Sequence, residues 1–335
     1  MPTDLLLPAL LCLLPVFGYL GLLVLLDSYQ LMPLRQIAAL LGAGMVAALV
    51  GLALNGALLG LLGLSLDAYS RLVAPLVEEA LKAAVIVWLV RRHRIGFLID
   101  AAIAGFAVGS GFALIENLHA LSRVPEAGLP TWIVRGFGTA VMHGGATAAF
   151  AVMALLIQER HESGAWRAAA IGFAAAALLH GLFNHLIEWP QLATVVVLVV
   201  VPALLLGAFS LGERALGEWL GRGFDADAEL LGLLRSGEWT DAPVGRYLAT
   251  LRARFPPAVL ADLLCYLRVF TELSMRAKGQ LMMREQGFRP QWDAAVQADL
   301  DELRYLERAI GVAGLVALAP LLPMRRRALR QLVTA

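Results

Sequence analysis

Through the first 210 residues, long apolar runs alternate with short polar links. A helix that crosses the hydrocarbon core of a bilayer needs about 20 mostly apolar residues. Seven stretches reach that length, roughly 5–26, 36–56, 72–90, 98–120, 134–157, 166–187 and 191–210. The apolar run 57–66, with Gly60 and Gly63, extends the second stretch as a half-helix or a dipping loop. The first stretch lacks a basic leader and a small-residue cleavage site, so it reads as an uncleaved span and not as a signal peptide. After residue 210 the pattern changes to helical apolar spacing on a polar background, as in Leu260, Leu263, Leu264, Leu267 and Phe270, with breaks at Pro243, Pro256, Pro257 and Pro290. The expected fold is all-α. A polytopic transmembrane helix bundle of about seven spans (1–210) precedes a C-terminal soluble helical region (211–335). The run Ala309 to Pro323 is short for a span and is followed by Arg325, Arg326 and Arg327; it reads as a buried core helix or a membrane-surface helix.

Composition agrees with that division. The chain of 335 residues is 59% hydrophobic and 16% charged, against about 25% charged in an ordinary soluble domain, which excludes a single water-soluble globule. Charge is concentrated at the end: 21 of the first 208 residues are charged, against 32 of the last 127. A net charge of +1 and the lack of a basic, aromatic-interleaved face argue against a nucleic-acid partner. Cys12 and Cys265 form neither a disulfide framework nor a metal-knuckle spacing. Arg35, Arg91, Arg92, Arg94, Arg160, Arg167 and Arg214 fall on one side of a seven-span topology, with Arg71, Arg123 and Arg135 on the other. The positive-inside rule then predicts an outside N-terminus and a cytoplasmic C-terminal region. No internal repeat or pair of broken helices is visible, which weakens a secondary-transporter reading.

The informative residues are the polar ones inside the apolar runs, because a charge at membrane depth costs about 2.5–3.5 kcal/mol and tends to be functional. The third stretch carries Glu78, Glu79 and Lys82, the fourth Asp100, Glu116 and Asn117, the fifth Arg135, Thr139, His143 and Thr147, and the sixth His180, Asn184 and His185. At 1.5 Å rise per residue, Glu78, Glu116, His143 and His180 share a depth of about 6–14 Å below the outer surface, which predicts one site. Glu78 and Lys82 share a helix face, as do His143 and Thr147, and His180 and Asn184, while Glu79 points about 100° away from Glu78. A bland reading exists for each residue alone. Glu78–Lys82 can be an intrahelical ion pair, Glu116, Asn117 and Arg135 can be helix-end contacts, and Asp100 can pair with Arg91, Arg92 or Arg94. His93, His119, His161 and His185 read as interfacial. The set of Glu78, Glu79, Glu116, His143 and His180 together is poorly explained that way. Of 27 basic residues only Lys82 and Lys278 are lysine, so a lysine at position 82 runs against the composition of the chain and points to a need for a compact cation.

Water becomes a nucleophile when a carboxylate takes its proton or a metal lowers its pKa. In a metal scheme Glu116, His143 and His180 ligate Zn²⁺, leaving a position for water, and Glu78 or Glu79 is the general base. In a metal-free scheme Glu78 and Glu116 share the water, His143 assists proton transfer, and His180 with Asn184 polarises the scissile carbonyl. There is no H-E-x-x-H motif, no G-x-S-x-G elbow, and no cysteine near the set. A proton-coupled transporter using these groups as a relay, or an inactive membrane scaffold, are the alternatives.

Four motifs occur in order: A-P-x-x-E-E-x-x-K (Ala74 to Lys82); Asp100 followed by a glycine-rich stretch ending in Phe112-Ala113-Leu114-Ile115-Glu116-Asn117; Arg135 with His143; and His180-Gly-x-x-Asn184. Over residues 67–187 they resemble the PrsW family of intramembrane proteases, distantly similar to the CAAX-protease and bacteriocin-processing superfamily. The superfamily's second motif ends in His where this chain has Glu116. The resemblance implies a multi-pass protease of the bacterial cytoplasmic membrane, of metallo or glutamate type. Its catalytic residues would be Glu78, Glu79, Glu116, His143 and His180, with Lys82, Asn117, Arg135 and Asn184 in support. It further implies a membrane-anchored protein substrate, of the kind of an anti-sigma factor cut first on its extracytoplasmic side. The extension after residue 210 departs from the minimal members. Oligomeric state is not legible in the sequence.

Overall fold

The computed structural model describes residues 5–29, 32–92, 94–160, 165–236, 242–288 and 294–322, and within them helices joined by short turns and links are the only regular structure. His93, His161, Pro290 and the basic run Arg325–Arg327 lie outside the described residues. The chain divides into two compact units, Met1–Asp27 with Leu31–Glu213, and Ser28–Gln30 with Arg214–Ala335.

In the first unit the helices are α1 (Leu6–Leu26), α2 (Leu34–Leu62), α3 (Leu66–Leu72), α4 (Ala74–Arg91), α5 (Leu98–Arg123), α6 (Leu129–Ile133), α7 (Ala140–Arg160), α8 (Ala165–His185) and the start of α9 (Pro190–Ser236). Among the described residues five helical segments are long and apolar enough to cross a membrane: Leu6–Leu26, Leu34–Leu62, Leu98–Arg123, Leu129–Leu156 and Pro190–Ser236. Ala169–His185 is apolar but shorter, and α4 carries Glu78, Glu79, Lys82 and Arg91 in its 18 residues. The continuation of the second apolar stretch is helical to Leu62. It stops at Gly63, whose φ of 62° is the left-handed C-cap geometry that glycine adopts without steric cost. Ser65 then caps α3, accepting a hydrogen bond from the Ala68 amide at 3.3 Å. Pro75 lies in the first turn of α4, where a missing N–H is harmless, so it starts a helix there and does not kink one.

Helix α5 is the axis of this unit, with every residue from Leu98 to Leu114 buried. Its glycines let neighbouring backbones come close. A Cβ on Gly105 would lie 2.6 Å from Ala148 Cα, and one on Gly109 would collide with the His143 carbonyl of α7. Gly111 meets the Leu41 carbonyl of α2 in the same way. Small residues at helix contacts replace the hydrophobic driving force that is absent inside lipid. Between α6 and α7 the chain makes a π-helical turn, Val134–Thr139, a rare geometry concentrated at functional sites.

The second unit contains the remainder of α9, then α10 (Pro243–Leu251), α11 (Pro257–Glu285) and α12 (Ala294–Leu318). Leu263, Leu267 and Phe270 are buried as their spacing predicted, and Pro243, Pro256 and Pro257 start helices. The run from Ala309 does not continue one straight helix: at Gly311 (φ 64°, ψ −173°) the helical path breaks. Beyond the break Leu318 is buried while Val312 and Val316 are exposed. Lys278 and Asp227 form an ion pair of 2.7 Å with no exposure on either side, and the Lys278 ammonium sits 4.9 Å from the Trp219 ring centre. Burial pulls the Lys278 pKa below the ordinary lysine value even with Asp227 beside it.

Two stability outcomes are expected. Gly105→Val should lower the thermal midpoint of the detergent-solubilised chain, with a cost of about 1–3 kcal/mol or more from overpacking. Lys278→Met or Asp227→Leu alone should each destabilise the second unit by about 3–5 kcal/mol, while the double substitution should be neutral or stabilising. Chemical denaturation of the three variants checks the second.

Candidate active site

Four helices contribute to one buried cluster: α4 supplies Glu78, Glu79 and Lys82, α5 Glu116, α7 His143 and α8 His180. Glu78, Glu79, Lys82, His143 and His180 are all buried, and Lys82 and His143 have no exposure at all. Glu116 is the outward member, with 21% of its side chain exposed.

The Lys82 ammonium donates to Glu79 Oε1 at 2.6 Å, lies 2.8 Å from His143 Nδ1, and is 4.8 Å from the Phe112 ring centre. The intrahelical partner of Lys82 is therefore Glu79, three residues away, and not Glu78, four away. The same Glu79 oxygen accepts from His180 Nδ1 at 2.8 Å. A ring that donates from Nδ1 leaves Nε2 facing the centre, where it lies 3.8 Å from Glu78 Oε2. On the other side His143 Nε2 lies 2.6 Å from Glu116 Oε2. That close approach is not a directed hydrogen bond, since His143 Nε2 is buried without one. The two imidazoles meet edge to face, with ring centres 4.7 Å apart.

Glu78, His143 and His180 each bring one donor atom to within 4.8 Å of the others. Two histidines and a carboxylate are a normal zinc donor set. Glu78, Glu79 and Glu116 face a single ammonium inside the cluster, so a bound cation would relieve an uncompensated negative charge. The residues present thus fit a divalent metal. The converging trio joins Glu78 to the two expected histidines, and Glu116 lies beside His143 Nε2 at 2.6 Å.

The supporting residues sit around this centre. Asn117 points away from it, donating to the Cys12 carbonyl at 2.7 Å and accepting from Arg135 Nε at 3.0 Å. Arg135 also reaches the Glu116 carbonyl at 3.4 Å, which braces the turn that carries Glu116. Asn184 donates to the Ser70 carbonyl at 2.8 Å, tying α8 to α3. Asn184 also lines the cavity that opens onto the cluster. Thr147 bonds the His143 carbonyl at 2.9 Å. Asp100 accepts from the Phe97 amide at the start of α5. His119 and His185 are exposed.

A cavity of about 520 Å³ opens onto Glu78, Glu116, His143 and His180, and its walls include Arg135, Thr139, Phe183 and Asn184. Sequence reasoning missed Asn55 of α2, which donates to Glu78 Oε1 at 3.0 Å, and Tyr69 of α3, whose hydroxyl donates to Asn55 Oδ1 at 2.9 Å. A signal was available, since Asn55 is the one polar side chain between Ile37 and Leu64.

Glu79→Ala should be among the most damaging substitutions here, because it leaves the Lys82 ammonium buried without its carboxylate. A loss of about 3–5 kcal/mol is expected. Glu79→Ala combined with Lys82→Met should recover much of it, read as the thermal midpoint in detergent.

The model of the PrsW family, described as intramembrane metalloproteases, matches residues 32–207, slightly more than half of the chain, and that range contains all four motifs. No curated protein and no solved structure matches the chain. With its apolar helices and its buried two-histidine, one-carboxylate cluster, this multi-pass membrane chain belongs to the PrsW family of intramembrane metalloproteases.

Proposed function

We propose that the protein is an endopeptidase that hydrolyses a membrane-anchored protein at the cavity bounded by Glu78, Glu116, His143 and His180. The observation that carries this reading is the convergence of Glu78, His143 and His180 at the wall of a cavity large enough for a peptide segment. These three residues would hold Zn²⁺, which when bound supplies a Lewis acid and lowers the pKa of water. Glu116, partly exposed to the cavity, is the general base: it takes a proton from the attacking water as the oxygen–carbon bond forms. It returns that proton to the leaving amine as the carbon–nitrogen bond breaks. Glu79 holds His180 by accepting from Nδ1, Lys82 Nζ lies against His143 Nδ1, and Arg135 with Asn117 braces the Glu116 turn.

In this reading residues 1–210 are the protease domain, spanning the bacterial cytoplasmic membrane about seven times with an outside N-terminus. The site then lies in the outer half of the bilayer. Residues 211–335 form a cytoplasmic helical region. An anti-sigma-factor-like regulator cut on its outer side is the substrate class that fits such a depth.

The test is incubation of the purified full chain with a panel of single-span substrates. Wild-type cleavage should fall by about 100-fold or more in Glu78→Gln, Glu116→Gln, His143→Ala and His180→Ala. Chelation should abolish it and added Zn²⁺ restore it. Full activity after thorough chelation would remove the metal assignment. Proton uptake into liposomes without cleavage would replace the protease reading with a relay.

A further inference from the structure

Glu78 is a carboxylate with two oxygens and a short, flexible stem, and a metal-binding or catalytic role requires one oxygen in one place. Its helix does not provide that by itself: Glu79 beside it and Glu116 across from it repel it, and the bond of Lys82 goes to Glu79. The stabilising contact comes from α2. Asn55 Nδ2 donates to Oε1 at 3.0 Å, which occupies that oxygen and leaves Oε2 as the one facing His180 Nε2.

An asparagine side chain can present either its NH₂ or its carbonyl, and the carbonyl would repel Glu78. Here the orientation is determined by a second bond. Tyr69, 3% exposed, donates its hydroxyl to Asn55 Oδ1 at 2.9 Å. A phenol donating to the amide oxygen leaves only the NH₂ for the carboxylate. Three helices thus meet in one chain of hydrogen bonds, Tyr69 (α3) to Asn55 (α2) to Glu78 (α4). None of the four motifs contains Asn55 or Tyr69.

We infer that Asn55, with its amide orientation set by Tyr69, is a positioning residue that selects Oε2 of Glu78 as the oxygen offered to the metal. This rests on the assignment of Glu78 as a ligand, so the experiment must separate the two. Polar partners behind a metal ligand typically change metal affinity by about 10–100-fold when removed. Because Asn55 and Tyr69 act only through Glu78, their effects should vanish once the Glu78 carboxylate is gone, whereas a residue that merely supports packing would cost the same in either background.

The measurement is Zn²⁺ affinity of the full chain in detergent by competition with a chromophoric chelator, for wild type, Asn55→Ala, Tyr69→Phe, Glu78→Gln and the two double variants with Glu78→Gln. Tyr69→Phe removes one hydroxyl and keeps the ring, so it reports even if Asn55→Ala folds poorly. The expected result is about 10–100-fold weaker binding for Asn55→Ala, a smaller loss for Tyr69→Phe, and no further loss from either when Glu78→Gln is present. Wild-type affinity in Asn55→Ala and Tyr69→Phe, with affinity lost in Glu78→Gln, overturns the positioning role and leaves Glu78 as a ligand. Equal losses in both backgrounds overturn it too, by showing a packing role. Wild-type affinity in Glu78→Gln, or no zinc affinity in the wild-type chain, removes the ligand assignment itself and the inference with it.

Discussion

An ammonium with no exposure to solvent organises the first unit. Lys82 sits on α4 with its charge wholly withdrawn from water, a state tolerable only beside an opposite charge and polar partners. It finds Glu79 on its own helix and His143 on α7. Glu79 in turn takes the His180 ring of α8. Three helices are therefore linked through two side chains. A guanidinium would spread its charge over a wider fork, which fits poorly between a carboxylate and an imidazole, so the lone lysine of the membrane part has a geometric reason.

That network leaves different groups free on its two sides. Glu79 and Lys82 are absorbed in holding the two imidazoles, and face each other instead of the cavity. Glu78 and Glu116 are what remains, one beside His180 and one beside His143. The close packing of α5 on α7 at Gly105 and Gly109 sets the reach between Glu116 and His143, because a larger residue at either point would separate the helices. The π turn before α7 then returns Arg135 to the end of α5, where it bonds Asn117 and the Glu116 carbonyl. Rigid helices with small contacts hold the polar groups in place, as preorganised chemistry requires.

Much of this was legible in the residues. Ionisable groups within apolar runs are costly enough to stand out, so Glu78, Glu79, Lys82, Glu116, His143 and His180 could be named from the sequence, and the structure brings all six together. Their pairings were not legible. The i,i+4 rule matched Lys82 with Glu78, but the short arm to Glu79 prevails because a third group, His143, draws the ammonium to that side. The orientation of His180 depends on Glu79, which no spacing rule reports. Asn55 and Tyr69 were passed over because a neutral polar side chain costs far less than a charge in an apolar run, and its role shows only when a buried carboxylate is found beside it. Among the described residues five helices are long and apolar enough to cross a membrane; α4 is outside that set because it carries four charges, and Ala169–His185 because it is shorter.

What the sequence by itself determined is the helical class, the division into an apolar and a charged region, and the inventory of reactive groups. Each follows from local rules: a helix must satisfy its own backbone in lipid, and a buried charge is exceptional wherever it occurs. What only the tertiary structure decided is which oxygen faces which nitrogen. That depends on contacts between helices far apart in the chain, Asn55 with Glu78, Glu79 with His180 and Glu116 with His143. Hydrogen bonds are short and directional, so a displacement of about an ångström is enough to exchange one partner for another.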